Sequence, residues 1–163
     1  MSKRDGHLAR SAARLAAVQA LFQMELADQD AETVIPDFIE TRLGKEIEGV
    51  HYPPADERIF TDIVSGSVEQ QTGIDGALDR CLPEDWPLHR IDSIMRALLR
   101  AAAFEILFRH QVPVRVALNE YTDIAHAFLD EREAGMANGI LNRLARQARP
   151  DDFSGPAASD GAL

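Results

Sequence analysis

Residues 91–108 read IDSIMRALLRAAAFEILF, and this stretch predicts the fold more clearly than any other part of the chain. Its apolar side chains recur at steps of three and four residues over about five turns, which is the spacing of one face of an α-helix. Pro113 ends this pattern and begins the next helix. The apolar residues of the stripe are Ile91, Ile94, Met95, Leu98, Leu99, Ala102, Ile106 and Leu107.

Similar stripes lie on both sides of this helix. Toward the amino terminus, residues 15–26 form one stripe with Ser11 as its cap, Pro36 begins a weaker segment at residues 37–48, and residues 59–68 and 74–82 form two more. Toward the carboxyl terminus, residues 116–128 and 136–144 continue the helical pattern, and no run predicts a strand. The sequence therefore predicts an all-α protein of about seven helices in two small helical subdomains.

Prolines indicate where the two subdomains meet. Pro83 and Pro87 bracket Trp86 between the fourth predicted helix and the long one. We therefore expect an N-terminal helical subdomain at residues 1–82 and a C-terminal one at residues 83–149. Residues 150–163 consist mainly of Asp, Ser, Gly, Pro and Ala, and we expect them to form a disordered tail because they cannot bury enough apolar surface.

The composition limits the class of protein. Of the 163 residues, 45% are hydrophobic, which is enough for a core, and the formal net charge is -10. An acidic protein repels nucleic acid, so any such binding requires a local basic patch. The single cysteine, Cys81, lies in an apolar helical pattern, so we expect a buried thiol in a reducing, cytoplasmic setting. No apolar stretch reaches the length of about 20 residues that a membrane helix needs.

The residue patterns that support catalysis are missing from the sequence. It contains no glycine-rich phosphate loop and no His-Glu-x-x-His motif, and its five histidines share no metal-ligand spacing. The carboxylates lie on predicted helix surfaces, whereas acid–base chemistry needs a shielded pair. We therefore predict a binding protein and not an enzyme, with no cofactor and no metal.

Charge is distributed unevenly along the chain. Residues 1–14 carry four basic residues against one acidic residue, whereas residues 25–62 carry eleven acidic and three basic residues. We interpret the amino terminus as a flexible basic arm, with Lys3 and Arg4, that leads into a basic helix face able to neutralise RNA phosphates. Ordinary surface arginines are the alternative. The candidate RNA-binding residues of this region are Lys3, Arg4, Arg10, Arg14 and Gln19.

Several short segments resemble the NusB family of transcription antitermination factors. They occur in the family's order and cover most of the chain outside the second to fourth helices and the tail. The segments are AAVQALFQ at residues 16–23, LLRAAAFE at 98–105, VP at 112–113, VALNEY at 116–121, AHAF at 125–128 and NGILN at 138–142.

The resemblance implies a function and a set of partners. It implies binding to the boxA element of nascent rRNA leader transcripts, together with a small-subunit ribosomal protein that is also called NusE. It further implies an indirect association with RNA polymerase and other Nus factors. Family members are monomers or dimers, so the resemblance predicts no oligomeric state, and nothing in it implies a membrane.

The resemblance also suggests site residues. The family's RNA surface maps onto Arg10 and Arg14, onto the aromatic at Phe22, and onto positions near Phe128. Stacking of a base on Phe22 is one interpretation, and packing of its ring in the core is the other. On the long helix, the candidate contacts for the partner protein are Arg96, Arg100 and Glu105, with structural ion pairs as the alternative for the last two.

The sequence departs from the family pattern at positions that concern RNA binding. Ser11 and Ala12 stand where the family often has arginines, Met136 where an aromatic is usual and Met95 where an acidic residue is common. A protein–protein adaptor of the same fold with little or no RNA binding is therefore the alternative function. A third interpretation is a fragment of an rRNA cytosine methyltransferase, but no glycine-rich cofactor-binding half is present.

Overall fold

The computed structural model describes residues 2–47, 49–51 and 54–153 of the chain. Within these residues the fold is an assembly of seven α-helices, which confirms the predicted all-α class. Glu46–Ile47 and Val50–His51 pair as a short antiparallel ribbon between the second and third helices. None of the described helices combines the length and the apolar character needed to cross a membrane. The helices are α1 (Lys3–Ala27), α2 (Ala31–Thr41), α3 (Glu57–Glu69), α4 (Gln71–Asp79), α5 (Ser93–Phe108), α6 (Val114–Phe128) and α7 (Glu131–Ala148).

Helix α1 begins earlier than predicted because a capping box lies at its amino terminus. The Ser2 hydroxyl accepts a hydrogen bond from Asp5 N at 3.1 Å, and Ser2 N donates to Asp5 Oδ2 at 3.3 Å. This arrangement satisfies two backbone donors that would otherwise lack partners at the helix start. Lys3 and Arg4 therefore lie in the first turn of α1, and the prediction of a flexible basic arm is wrong. Ser11, the predicted cap, lies inside the helix.

Side-chain caps also place α2 and α7 earlier than the apolar pattern indicated. The Asp30 carboxylate accepts a hydrogen bond from Thr33 N at 2.9 Å, and Asp130 caps α7 in the same way. Pro36 therefore lies within α2, and the helix predicted at residues 37–48 is wrong beyond Thr41. The periodic apolar residues revealed the buried faces, whereas the caps determine where the chain enters each helix.

Helix α5 is the centre of the fold. It packs against α1, α3, α4, α6 and α7, and its residues 95–99 and 101–106 are buried. The sequence predicted one apolar face, but neighbouring helices surround nearly the whole circumference, and the small side chains at residues 101–103 allow them to approach closely. The buried apolar residues of both predicted subdomains form one cluster around α5. Cys81 belongs to this cluster, as expected, and burial raises the pKa of its thiol.

Gly66 of α3 provides the space for Phe104 of α5. A Cβ at Gly66 would lie 2.1 Å from Phe104 Cζ, so Gly66→Ala is expected to lower the free energy of unfolding by about 1–3 kcal/mol. Gly73→Ala in α4 is the matched control, because a Cβ there meets no atom within 4 Å. Urea unfolding measures both variants, and equal stabilities would contradict the close packing of α3 on the Phe104 ring.

The start of the predicted tail is structured. Pro150–Phe153 form a 3₁₀ helix that packs against α7, and the Arg146 guanidinium lies 4.5 Å from the centre of the Phe153 ring. The prediction of disorder from residue 150 is therefore wrong for these four residues, because Phe153 packs against the hydrophobic core and the Arg146 guanidinium. The rest of the predicted tail, residues 154–163, lies outside the described residues.

Candidate nucleic-acid interface

The first turns of α1 carry an amino-terminal basic surface formed by Lys3, Arg4 and Arg10. All three side chains are exposed, and none forms an ion pair with a described residue. Lys3 and Arg10 lie on one face of the helix, about two turns apart. Asp5, the one carboxylate of these turns, is engaged in the cap with Ser2. The surface therefore presents three cations that have no ion-pair partner in the described part of the chain, close to the positive end of the helix dipole.

Arg14 does not belong to this surface, although the sequence analysis placed it there. Its side chain is only 3% exposed. Arg14 Nε donates to Glu105 Oε2 at 2.7 Å, Nη2 donates to Glu105 Oε1 at 3.2 Å, and Nη1 donates to Glu120 Oε1 at 2.9 Å. Carboxylates from α5 and α6 therefore hold Arg14 inside the protein, and in this structure its guanidinium is not exposed to a ligand.

Glu105 is the centre of a buried polar network between α1, α5 and α6. It is fully buried and also accepts hydrogen bonds from Tyr121 Oη at 2.6 Å and from Arg109 Nη1 at 3.2 Å. Ser11 Oγ extends the network by donating to Glu120 Oε1 at 2.6 Å. A buried carboxylate is tolerated only when it is paired and hydrogen-bonded. These contacts agree with the alternative interpretation of Glu105 as a member of structural ion pairs.

The buried network shifts two pKa values. Burial lowers the pKa of Arg14, but the hydrogen bond and the negative charge of Glu105 outweigh it, so the pKa is raised overall. Burial raises the pKa of Tyr121 well above its ordinary value of 10.0, and the charge of Glu105 raises it further. Arg14 therefore remains charged and Tyr121 remains neutral, which is the combination that the network needs.

The raised pKa of Tyr121 makes the stability of the protein depend on alkaline pH. Its contribution is complete below pH 10.0 and decreases as the pH rises from there, because the unfolded chain releases the phenolic proton first. Tyr121→Phe is expected to be less stable at neutral pH by about 1.5–3 kcal/mol, the contribution of a hydrogen bond to a charged group. The difference between the two proteins should decrease above pH 10.0. Urea unfolding at neutral and alkaline pH measures it, and a constant difference would contradict the assignment.

Phe22 and Gln19 lie further along α1 than the amino-terminal basic surface. Phe22 is half-buried and packs against the core, which agrees with the alternative interpretation of this residue. It lies about 18 Å along α1 from Arg10. Gln19 is half-buried as well. Phe128, at the end of α6, is 40% exposed and remains a candidate for stacking.

Arg96 and Arg100 form a second charged cluster near the carboxyl end of α1. Arg96 forms an ion pair with Glu25 and donates to Ile91 O at 2.6 Å. Arg100 makes a two-point ion pair with Asp75, with both N–O distances at 2.9 Å. Burial and the charge of Arg100 lower the pKa of Arg96. Arg100 and Glu25 also border two surface cavities of 320 and 500 Å³.

Sequence reasoning missed the residues that pair with Arg14, Arg96, Arg100 and Glu105. One signal was available, because Glu105 interrupts the apolar pattern of α5 on a face that also carries Leu98 and Ala102. A charge on a buried face requires a partner. The partner could not be read from the sequence, since Arg14 is 91 positions away. The missed residues are Glu25, Asp75, Arg109, Glu120 and Tyr121.

The described residues form a small protein built mainly of α-helices, with an exposed cationic surface at the amino-terminal end of α1. Comparison with known protein families gives this class a name, since the model of the NusB family matches residues 11–146. The chain belongs to the NusB family.

Individual relatives agree with this assignment. Transcription antitermination protein NusB of Bradyrhizobium sp. strain BTAi1 is 52% identical over 144 residues, which cover 88% of this chain and 85% of that protein. The same-named protein of Rhodopseudomonas palustris strain BisB5 is 47% identical over 143 residues, covering 88% of this chain and 82% of that protein.

Solved structures agree with the fold. T. maritima NusB is similar with a TM-score of 0.71 and 31% identity, covering 88% of this chain and 96% of that one. A crystal structure of the antitermination factors NusB and NusE in complex with dsRNA matches with a TM-score of 0.72, covering 90% of this chain and 99% of that one. Its identity is 17%, so this similarity shows the fold alone.

Proposed function

We propose that this protein is an RNA-binding transcription antitermination factor. It binds boxA-like RNA of rRNA leader transcripts together with the small-subunit ribosomal protein NusE. Through this complex it associates indirectly with RNA polymerase and the other Nus factors. It acts in the cytoplasm, by binding and not by catalysis. The name of its relatives at 52% identity, transcription antitermination protein NusB, supports this proposal.

The amino-terminal basic surface is the observation that carries the proposal. In a protein of net charge -10, Lys3, Arg4 and Arg10 are exposed without a carboxylate partner among the described residues. They offer a phosphate backbone a place to bind. Three phosphate contacts correspond to a slope of about -2 in a plot of log K against log salt for single-stranded RNA. RNA binding by this protein alone is therefore weak and sensitive to salt.

A second protein makes up for this weak binding. A basic partner that contacts both this protein and the RNA raises the affinity for RNA, and the RNA raises the affinity for the partner by the same factor. The cluster of Glu25, Arg96 and Arg100, with its two bordering cavities, remains our candidate for the partner surface. It lies about 20 Å along α1 from Arg10, so partner and RNA do not compete for one site.

Fluorescence anisotropy with a boxA-containing leader RNA tests the proposal. Titrations without and with NusE should differ in RNA affinity by about 5- to 150-fold. Arg100→Ala should reduce the effect of NusE and leave the binding of RNA alone unchanged. If the RNA binds neither to this protein nor to its mixture with NusE, the proposed function is wrong.

A protein–protein adaptor that does not bind RNA is the second candidate function. The burial of Arg14 favours it, because only three exposed cations remain on the amino-terminal basic surface. Pull-down of NusE with and without the leader RNA distinguishes the two functions. A complex that RNA does not stabilise would support the adaptor.

A further inference from the structure

The groove between α6 and α7 combines cations and amides without any carboxylate. Its cavity has a volume of 390 Å³, and every polar side chain that lines it is neutral or positively charged. Such a lining is unexpected in a protein of net charge -10. Its polar residues are Arg115, Asn119, Thr122, Asn138, Asn142 and Arg146.

The amides of this groove are held in position by one another. Asn138 Oδ1 accepts hydrogen bonds from Thr122 Oγ1 at 2.9 Å and from Asn142 Nδ2 at 3.1 Å. Asn142 Nδ2 also donates to Asn138 O at 2.9 Å. The Asn138 amide N–H groups and the Asn142 Oδ1 atom make no hydrogen bond with a described residue, so the pair offers a donor and an acceptor. A fixed donor and acceptor match the edge of a nucleic-acid base.

The two arginines of the groove are free to bind an anion. Arg146 lies over the Phe153 ring at 4.5 Å, and Arg115 is exposed without an ion pair to a described residue. Asp152 belongs to the adjoining 3₁₀ helix and directly precedes Phe153 in the sequence. Its carboxylate pairs with Arg149 at 2.6 Å and not with Arg146 or Arg115. A guanidinium presents several N–H donors in a plane and suits phosphate oxygens.

We propose that this α6–α7 groove is a second subsite for single-stranded RNA. Arg115 and Arg146 bind phosphates, and Asn138 and Asn142 contact base edges. The groove extends about 12 Å along α7, which suits an extended polyanion better than the single carboxylate of a peptide. This inference rests on the proposed function, since it extends the RNA path beyond the amino-terminal basic surface.

The position of the groove on α6 determines the course of such a path. Asn119 lines the groove, and its neighbour Glu120 contacts Ser11 and Arg14 of α1. The groove and the contact with α1 therefore lie on different faces of α6, and an RNA strand bound beside Arg10 has to pass around this helix to reach the groove.

Arg115→Glu is the direct test, because this exposed side chain makes no hydrogen bond or ion pair with a described residue and its replacement should not affect folding. Anisotropy with the boxA-containing leader RNA across a salt series should show a slope reduced by about 0.7 and an affinity reduced about 5-fold at 0.1 M salt. Arg80→Glu is the matched control, since Arg80 is also exposed and the change in net charge is the same. The control should retain the slope.

The base contacts are tested with Asn142→Ala. This variant should keep the salt slope and lose about 5-fold or more in the preference for boxA over a scrambled RNA.

Equal losses in Arg115→Glu and Arg80→Glu, while the wild type binds RNA, would overturn the groove proposal and leave the proposed function intact. Loss of NusE binding with unchanged RNA binding would also overturn it, because the groove would then bind protein. A wild-type protein that binds no RNA would overturn both.

Discussion

Arg14→Ala is expected to lower the free energy of unfolding by about 3–5 kcal/mol, the cost of removing one partner from a buried ion pair. The substitution removes three hydrogen bonds, two to Glu105 and one to Glu120. Glu105 then remains fully buried with Tyr121 and Arg109 as its remaining donors. Urea unfolding measures the loss directly.

Two further variants identify the cause of this loss. Arg58→Ala removes an exposed arginine of α3 and should change the stability by less than about 0.5 kcal/mol. In a double-mutant cycle, Arg14→Ala combined with Glu105→Ala should cost less than the sum of the single variants, because the two side chains contact each other. A loss below about 1 kcal/mol for Arg14→Ala would be the size of an exposed ion pair and would contradict the burial of the network.

The simultaneous replacement of Lys3, Arg4 and Arg10 by alanine is expected to have the largest effect on RNA binding. If each cation contacts one phosphate, the slope of log K against log salt falls by about 2 and the affinity falls about 100-fold at 0.1 M salt. The fold should be retained, since all three side chains are exposed. Anisotropy across a salt series measures both quantities.

A triple replacement of Arg58, Arg80 and Arg90 by alanine is the matched control. These three residues are exposed and lie outside α1, and their removal changes the net charge by the same amount. RNA affinity should then decrease only slightly, through the overall charge. If both triple variants lose affinity equally, the net charge and not the position of the cations determines RNA binding.

Much of the fold could be predicted because it depends on local patterns. The apolar spacing of residues 91–108 identified α5, and Pro113 correctly indicated the start of α6. The amino-terminal ends of α1, α2 and α7 were placed too late, because Ser2, Asp30 and Asp130 extend these helices beyond the apolar stripes. A capping box is visible in the sequence, and Ser2 with Asp5 was the overlooked signal.

The candidate site was harder to predict because burial depends on distant residues. Lys3, Arg4, Arg10 and Arg14 are equivalent in a sequence, and helical spacing even places Arg10 and Arg14 on adjoining turns. Only the packing of α1 against α5 and α6 distinguishes Arg14 from the other three, because Glu105 and Glu120 form ion pairs with it. The same packing gives Arg14 a structural role. Its ion pairs hold α1, the helix that carries the basic surface, against α5 and α6.

We propose that RNA binds to the exposed cations of α1 and that Arg14 only supports their position. An NMR titration of the isotope-labelled protein with the boxA-containing leader RNA tests it most directly. We predict that the largest changes in amide chemical shift lie in residues 2–12 of α1, and that Lys3→Ala with Arg4→Ala and Arg10→Ala abolishes these changes. Shifts that are absent from residues 2–12, or that persist in the triple variant, would contradict the claim.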